Sequence, residues 1–288
     1  MDSTKSLARR AGLLYVLASS AAPFAYLYVP DALLVPGDAL ATADRVRALE
    51  GLLRAAIIAE LACATMLIFA TLALYELFKR VDQKTSALMA VLMLVSVPIS
   101  YASALTHIAP LILLKSPAIT AALDLRQVAA QVTLFLRLHN YGLVINQIFW
   151  GLWLFPIGIL VMRSGFIPRW LAYPLFFAGA GYVLNSLGLL LLPASLRWLT
   201  ANLQILGVGE MPFFNFYLLI WGARGHAVDR LAALLVLMSF TIGIGALAML
   251  LLHRIDATQY AALALTSLAP LIGLVMRWRA EASAEART

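Results

Sequence analysis

The feature that most constrains this chain is a series of long apolar segments. A helix needs about 20 apolar residues to cross the roughly 30 Å hydrocarbon layer of a bilayer, whereas a barrel strand needs only about 10 with alternating polarity. The segments here have helical length, so they predict transmembrane helices. We recognise eight of them, at residues 11–28, 54–78, 86–110, 140–163, 169–193, 206–223, 229–252 and 258–277.

Composition agrees with a membrane-spanning chain. Of the 288 residues, 63% are hydrophobic and only 12% are charged, whereas about a quarter of the residues in a soluble domain are charged. We therefore predict an all-α, polytopic transmembrane helical bundle of about eight spans. Residues 1–225 form a six-span core in this prediction, residues 226–279 add two helices, and residues 280–288 form a disordered tail.

Two amphipathic segments connect predicted spans on the same side of the bundle. They are residues 37–53 and 116–138. Asp38 follows Pro36-Gly37 and is a typical helix N-cap. Ser116-Pro117 is a second start signal, because proline is favoured at the first position of a helix. We expect both segments to lie along the membrane surface, where an amphipathic helix buries only its apolar face.

Basic residues indicate the orientation of the chain. A cytoplasmic N-terminus places 13 of the 21 Lys and Arg residues on the cytoplasmic side and 8 on the other. Because cytoplasmic loops carry an excess of Lys and Arg, we predict that both termini are cytoplasmic and both amphipathic segments are extracytoplasmic. The first span also resembles a signal peptide, but its apolar segment continues past the small residues, which favours a retained span over a cleaved one.

Ionisable and amide side chains concentrate in the outer halves of the predicted spans. Such groups are costly in hydrocarbon unless they face other helices or a water-filled cavity. His139 and Asn146 are seven residues apart and share a helix face, with Gly142 between them permitting close approach. We predict a polar pocket in the outer half of the membrane, formed by Glu60, His107, His139, Asn140, Asn146, Asn185 and Glu210.

Several of these polar residues also suit a purely structural role. Ser, Asn and Gln in membrane helices often only join helices, and a histidine near a helix end can lie at headgroup level. The serines of the third span, which recur at helical spacing up to His107, fit that role. Glu60 and Glu210 fit it less well, because a carboxylate in hydrocarbon must be paired, protonated or hydrated.

Metal and nucleotide chemistry are not predicted. Imidazole and carboxylate suit zinc or iron, but the sequence has no HExxH, ExxH or HxxxH motif, and the ligands would come singly from separate helices. No GxSxG, phosphate-binding or dinucleotide motif is present. Cys63 is the only cysteine, so no internal disulfide forms. The net charge of +7 is scattered in short loops, which argues against a nucleic-acid partner. We predict neither a metal nor a cofactor.

Two stretches together resemble a bacterial membrane family catalogued as domain of unknown function 4386. They are VPGDALATADRVRALEGLLRAAI and LHNYGLVINQIFWGLWLFPIGILVMRSGFIPRWLAYPLFFAGAGYVLNS. The resemblance covers roughly residues 8–225. It implies a six-span core in a bacterial cytoplasmic membrane, and it carries no established reaction or catalytic residue. Residues 229–277 depart from that core and resemble a packing or dimerisation appendage, which leaves a homo-oligomer open.

The pattern favours a protein that binds or senses a lipid-like or small amphipathic ligand in the outer half of the membrane, with membrane lipids as partners. The first alternative is a membrane-embedded enzyme that uses Glu and His for acid-base chemistry on a lipid or isoprenoid. A transporter is a further alternative, although the inner halves of the spans lack polar lining and show no convincing inverted repeat. The last alternative is a structural subunit, in which polar groups only hold helices together.

Overall fold

The computed structural model describes residues 2–199 and 214–223, and every regular element in these two ranges is helical. The helices in chain order are α1 Asp2–Ser20, a π-helical turn Phe24–Tyr28, α2 Val29–Leu33, α3 Ala39–Ala48, α4 Glu50–Phe78, α5 Gln83–Lys115, α6 Pro117–Ala122, α7 Leu125–Leu152, α8 Leu154–Ser164, a 3₁₀ turn Arg169–Leu171, α9 Ala172–Leu191, a second 3₁₀ turn Ala194–Leu199 and α10 Phe216–Ile220.

Five helical segments within the described ranges are long and apolar enough to cross a membrane. They are Thr4–Leu33, Glu50–Phe78, Gln83–Lys115, Leu125–Ser164 and Arg169–Leu191. The predicted all-α helical bundle is confirmed, and the protein is a multi-pass membrane protein. The count of eight spans and the cytoplasmic termini stay predictions. The predicted spans 229–252 and 258–277, and most of the span 206–223, lie outside the described residues.

The sides of the bundle are apolar, as a lipid-facing surface requires. Large apolar side chains such as Ile58, Leu105 and Phe177 are exposed on α4, α5 and α9. Each of these helices also buries apolar residues against its neighbours. A helix that is apolar on all faces is typical of a membrane span.

The amphipathic segments differ in how they fold. In the first, the Asp38 carboxylate accepts a hydrogen bond of 2.9 Å from the Ala41 N–H, so the predicted N-cap of α3 is confirmed. In the second, α7 runs without interruption from Leu125 to Leu152, across the predicted boundary between segment 116–138 and a span that starts at residue 140, and the point where this helix enters the membrane stays a prediction. Asp124 and Gln127 form a capping box that starts this helix, and no proline breaks it further along.

Two apolar cores divide the bundle along its length. One core lies at the end that carries α3, the predicted outer end, and includes Leu53 and Ile57 of α4 with Val132 and Leu136 of α7. The other lies at the opposite end and includes Leu74 of α4, Met89 of α5 and Trp153. Between them α4, α5 and α7 bury a set of polar side chains, which we call the polar layer: Glu60, Ser96, Ser100, Ser103, His107, His139 and Asn146.

Glycine permits a close crossing of α7 and α9. A Cβ atom on Gly151 would lie 2.6 Å from the carbonyl oxygen of Gly179, and a Cβ atom on Gly179 would lie 2.8 Å from the carbonyl oxygen of Gly151. Small residues let membrane helices approach until their backbones touch. We expect Gly151→Ala to push α7 from α9 and to lower the free energy of unfolding by about 1–3 kcal/mol, the usual cost of overpacking.

Gly51→Ala is the matched control, because a Cβ atom there meets nothing within 4 Å. It should leave stability unchanged or slightly raised, since alanine favours a helix over glycine. Thermal unfolding in detergent, followed by tryptophan fluorescence, measures both variants. Equal stability of the two would contradict the close crossing.

Asp82 joins the start of α5 to the end of α8. Its carboxylate accepts hydrogen bonds from the Thr85 N–H at 3.1 Å and the Thr85 hydroxyl at 2.8 Å, and it lies 2.6 Å from Arg163. These hydrogen bonds and the nearby guanidinium charge hold the pKa of Asp82 below its usual value. A lowered pKa in the folded state stabilises the protein above the ordinary carboxyl pKa, and that stabilisation is lost as pH falls through the lowered value.

Asp82→Ala should therefore lower the melting temperature at neutral pH, and its difference from the wild type should shrink below about pH 4. Asp44→Ala removes an exposed aspartate paired only with its neighbour Arg47 and should change the melting temperature little. Thermal melts at several pH values check both. A difference for Asp82→Ala that stayed constant down to strongly acidic pH would refute this role.

Candidate functional site

Three helices bring ionisable side chains to one point in the polar layer. Glu60 lies on α4, His107 on α5 and His139 on α7. The Glu60 Oε1 atom is 3.1 Å from Nδ1 of His107 and 3.2 Å from Nε2 of His139. One ligand atom from each residue lies within 4.8 Å of the other two. We call these three residues the Glu-His-His cluster.

The cluster is closed off from the surroundings of the bundle. The side chains of Glu60, His107 and His139 are 3%, 2% and 0% exposed. Ile57 lies one turn from Glu60 in the core at the α3 end, and Leu136 lies one turn from His139 in the same core. Because ionised groups are costly in an apolar interior, the three side chains must compensate one another or bind something that does.

The packing of α5 against α7 sets the orientation of His139. Its Nδ1 atom lies 3.1 Å from the carbonyl oxygen of Ser103. A carbonyl oxygen only accepts, so Nδ1 carries the proton and donates it. Gly142, one turn along from His139, allows this approach, because a Cβ atom there would collide with the Ser103 side chain. In the neutral form of the ring, this tautomer presents an unprotonated Nε2 atom to Glu60.

The two imidazole rings stack on each other. Their centroids are 3.4 Å apart and their planes differ by 15°. Stacking holds the rings of His107 and His139 side by side, so that one nitrogen of each faces the same carboxylate oxygen. The stacked arrangement fixes the two imidazole nitrogens relative to each other, and the Glu60 carboxylate lies against both.

The short contacts inside the cluster lack the direction of hydrogen bonds. Glu60 Oε1, His107 Nδ1 and His139 Nε2 are all buried, and none makes a hydrogen bond of normal geometry within the described residues. Buried polar atoms are nearly always satisfied by a partner or an ordered ion or water. Three such atoms meeting at one point are a signature of a functional site more than of a packing contact.

Amides and hydroxyls of the polar layer and of the adjacent helix α9 form a separate network that joins helices. Asn146 Nδ2 donates to the Ser100 hydroxyl at 2.7 Å, which links α7 to α5. Asn185 Nδ2 donates to Gln147 Oε1 at 2.7 Å, and the Ser186 hydroxyl donates to the carbonyl oxygen of Val144 at 2.6 Å. These three bonds hold α5, α7 and α9 together, as interhelical polar contacts in membranes commonly do.

The residues predicted for the pocket thus fall into distinct groups. Glu60, His107 and His139 converge, whereas the buried Asn146 and Asn185 bond to other residues in the interhelical network. Asn140 is half-buried on α7. Glu210 lies outside the described residues.

The carbonyl oxygen of Ser103 was not predicted as a partner of His139. Ser103 is one of the serines that recur at helical spacing up to His107. Its hydroxyl donates to the carbonyl oxygen of Ile99 in its own helix. A backbone acceptor leaves no mark on side-chain identity. The sequence signal that bears on it is Gly142, which indicated a close approach between helices.

A shallow groove lies beyond the cluster at the α3 end. It has a volume of about 120 Å³ and is lined by Val46, Arg47, Glu50, Leu111, Leu114 and Lys115. Leu111 is one helical turn beyond His107 on α5. Lys115 Nζ lies 2.8 Å from Glu50 Oε1 at the rim. The groove therefore combines an apolar floor with a charged rim on two of the helices that carry the cluster.

Comparison with known proteins gives a family but no activity. The family model described as "Domain of unknown function (DUF4386)" matches residues 10–222. An uncharacterized protein of Archaeoglobus fulgidus is 42% identical over 43 residues, which is 15% of this chain and 26% of that protein. The match thus spans about a quarter of that relative's length, and no solved structure matches the chain. Because the family model covers most of the chain, the protein belongs to the membrane-protein family described as Domain of unknown function (DUF4386).

Proposed function

We propose that this membrane protein binds a small amphipathic, lipid-like ligand at the predicted outer end of its bundle, with the Glu-His-His cluster as the polar centre of the site. The observation that carries the proposal is the convergence of Glu60, His107 and His139 from three helices at one buried point. Intramembrane ionisable groups that face the bundle interior are typical of sites that bind ligands or move protons.

Helix adhesion alone does not account for the cluster. The same helices are already joined by neutral groups, such as Asn146 with Ser100. Neutral amides and hydroxyls join helices without the larger desolvation cost of a carboxylate and two imidazoles. If Glu60 only joined helices, a glutamine at this position would do so without the cost of burying a carboxylate.

The groove at the α3 end supports an amphipathic ligand. Its apolar floor suits an alkyl or isoprenoid chain, and Arg47 and Lys115 at its rim suit a polar or anionic headgroup. Leu111 of the floor lies one turn from His107, so the groove and the cluster are neighbours along α5.

An enzyme is the second candidate, and the orientation of His139 favours it. The Ser103 carbonyl oxygen fixes the tautomer that leaves Nε2 free to accept a proton beside a carboxylate. Such a pair suits general acid-base chemistry on a lipid or isoprenoid. A transporter is disfavoured, because the apolar core containing Leu74, Met89 and Trp153 lies between the cluster and the opposite end of the bundle.

Localisation in a bacterial cytoplasmic membrane, with both termini cytoplasmic, is part of the same proposal. The uneven distribution of Lys and Arg, 13 against 8, supports the orientation. In that orientation the groove and the cluster lie in the outer half of the membrane.

Native mass spectrometry with lipid extraction tests the proposal on the full chain purified in mild detergent. We expect wild-type protein to retain one defined class of molecule. We expect Glu60→Gln and His139→Ala to bind that molecule about tenfold more weakly, which corresponds to a loss of about 1.4 kcal/mol of binding free energy. Glu76→Gln is the matched control, because Glu76 is an exposed carboxylate paired with Lys79, and it should retain the ligand.

Retention of the same ligand by all four proteins would contradict the proposal, as would wild-type protein that carries only bulk lipid. Incubation of the extracted molecule with fresh wild-type protein then separates the two candidates. Unchanged ligand supports binding or sensing, and a product formed by wild type but not by Glu60→Gln supports the enzyme.

A further inference from the structure

We infer that the Glu-His-His cluster is a binding site for a divalent transition-metal ion of the zinc class, held by Glu60, His107 and His139. The inference deepens the proposed function, on which it rests in taking the same cluster as the functional centre. It adds the chemistry by which the cluster recognises a ligand.

The donor set itself favours such an ion. Two imidazole nitrogens and one carboxylate oxygen are the donors that zinc and ferrous iron take when a protein leaves coordination positions open. Structural zinc sites usually have four protein ligands, whereas sites that bind water or substrate have three. The three residues here therefore fit a site whose remaining position accepts an oxygen atom of a ligand.

The distances between the donors also fit a single ion. Donors at 2.0–2.2 Å from a tetrahedral ion are separated from one another by about 3.3 Å. Glu60 Oε1 lies 3.1 Å from His107 Nδ1 and 3.2 Å from His139 Nε2. The third pair of donor atoms, one from each histidine, lies within 4.8 Å. Binding of one ion by all three donors requires the two stacked rings, whose centroids are 3.4 Å apart, to turn until each nitrogen points at the ion.

The directions of the donors point to a cation between them. His139 donates through Nδ1 to the Ser103 carbonyl oxygen, so in the neutral ring the lone pair of its Nε2 atom faces Glu60. Two electron-rich atoms at this distance repel each other unless a cation lies between them. The lack of hydrogen-bond geometry at all three donor atoms disfavours a shared proton as that cation. A metal ion off the line between the atoms satisfies all three.

The surroundings of His139 match those of a metal ligand. Metal-binding histidines usually donate their second ring N–H to a carboxylate or a backbone carbonyl, which fixes the tautomer. Ser103 supplies that carbonyl, and Gly142 supplies the space for α7 to approach it. Gly142 is thus a positioning residue that acts through Ser103 and His139.

Burial and charge agree with a cation. The three side chains are at most 3% exposed, and no Lys or Arg side chain pairs with Glu60 among the described residues. A divalent ion neutralises the carboxylate and leaves one positive charge for an anionic headgroup, such as a carboxylate or phosphate. The ligand class that follows is a lipid-like molecule with an oxygen-donor head.

Metal analysis provides the direct test. Wild-type protein purified with a non-histidine tag is treated with a chelator, incubated with zinc chloride and desalted, and its zinc is measured by mass spectrometry. We expect about one zinc per chain, as for a single three-ligand site. Glu60→Gln, His107→Gln and His139→Gln should each lose it, and Glu76→Gln should keep it.

Gly142→Ala separates a metal site from a simple packing role. It keeps all three donor side chains in the sequence but displaces α7, and with it His139, from Ser103, so we expect about a tenfold weaker zinc affinity, as for the loss of an outer-shell partner. Cobalt chloride offers a spectroscopic check on wild-type protein that needs no variant. Absorption bands of tetrahedral cobalt should appear and should disappear when zinc is added.

Folded wild-type protein with substoichiometric zinc, no cobalt bands and no rise in melting temperature on zinc addition would overturn the inference. So would equal zinc in the cluster variants and in Glu76→Gln. The proposed function fails separately. Wild-type protein that retains a specific ligand but takes up no zinc overturns the metal site alone, whereas one bound zinc without any specific ligand overturns the ligand-binding proposal and keeps the metal site.

Discussion

The burial of a carboxylate and two imidazoles between two apolar cores is the constraint on which the rest of the structure depends. Glu60, His107 and His139 lie on helical segments that are long and apolar enough to cross a membrane, and none of their side chains is more than 3% exposed. Such a group is tolerated only if its partners are fixed in advance, because a separated charge in this environment is costly by several kcal/mol. The positions of α4, α5 and α7 around the cluster are therefore closely constrained.

The surrounding residues provide that rigidity. Gly142 lets α7 approach Ser103, and Gly151 lets it approach α9, so the helix that carries His139 touches neighbouring helices closely on two sides. Asn146 and Asn185 add hydrogen bonds between side chains about two turns further along α7. The apolar cores above and below exclude water, which strengthens each electrostatic interaction within the layer. Helix adhesion and the cluster thus use different side chains on the same helices.

Much of the fold follows from sequence because hydrocarbon imposes simple rules on length and composition. The apolar segments, the N-cap at Asp38 and the close approach at Gly142 are all local signals. The start of α7 at Leu125 was not predicted, because charged residues such as Arg126 and Arg137 make the first part of this helix unlike a membrane span. The meeting of Glu60, His107 and His139 was harder to predict. It depends on the rotation of three helices, and their spacing in the chain matches no metal motif.

The meeting of these three side chains at one point, with an ion held between them, is most directly tested by X-ray crystallography. The crystals contain the natively purified protein in lipid, and anomalous diffraction data are collected on both sides of the zinc and iron absorption edges. We predict an anomalous peak within about 2.2 Å of a nitrogen of His107, a nitrogen of His139 and an oxygen of Glu60. Side chains that point apart or towards lipid, with no peak between them, would contradict this prediction.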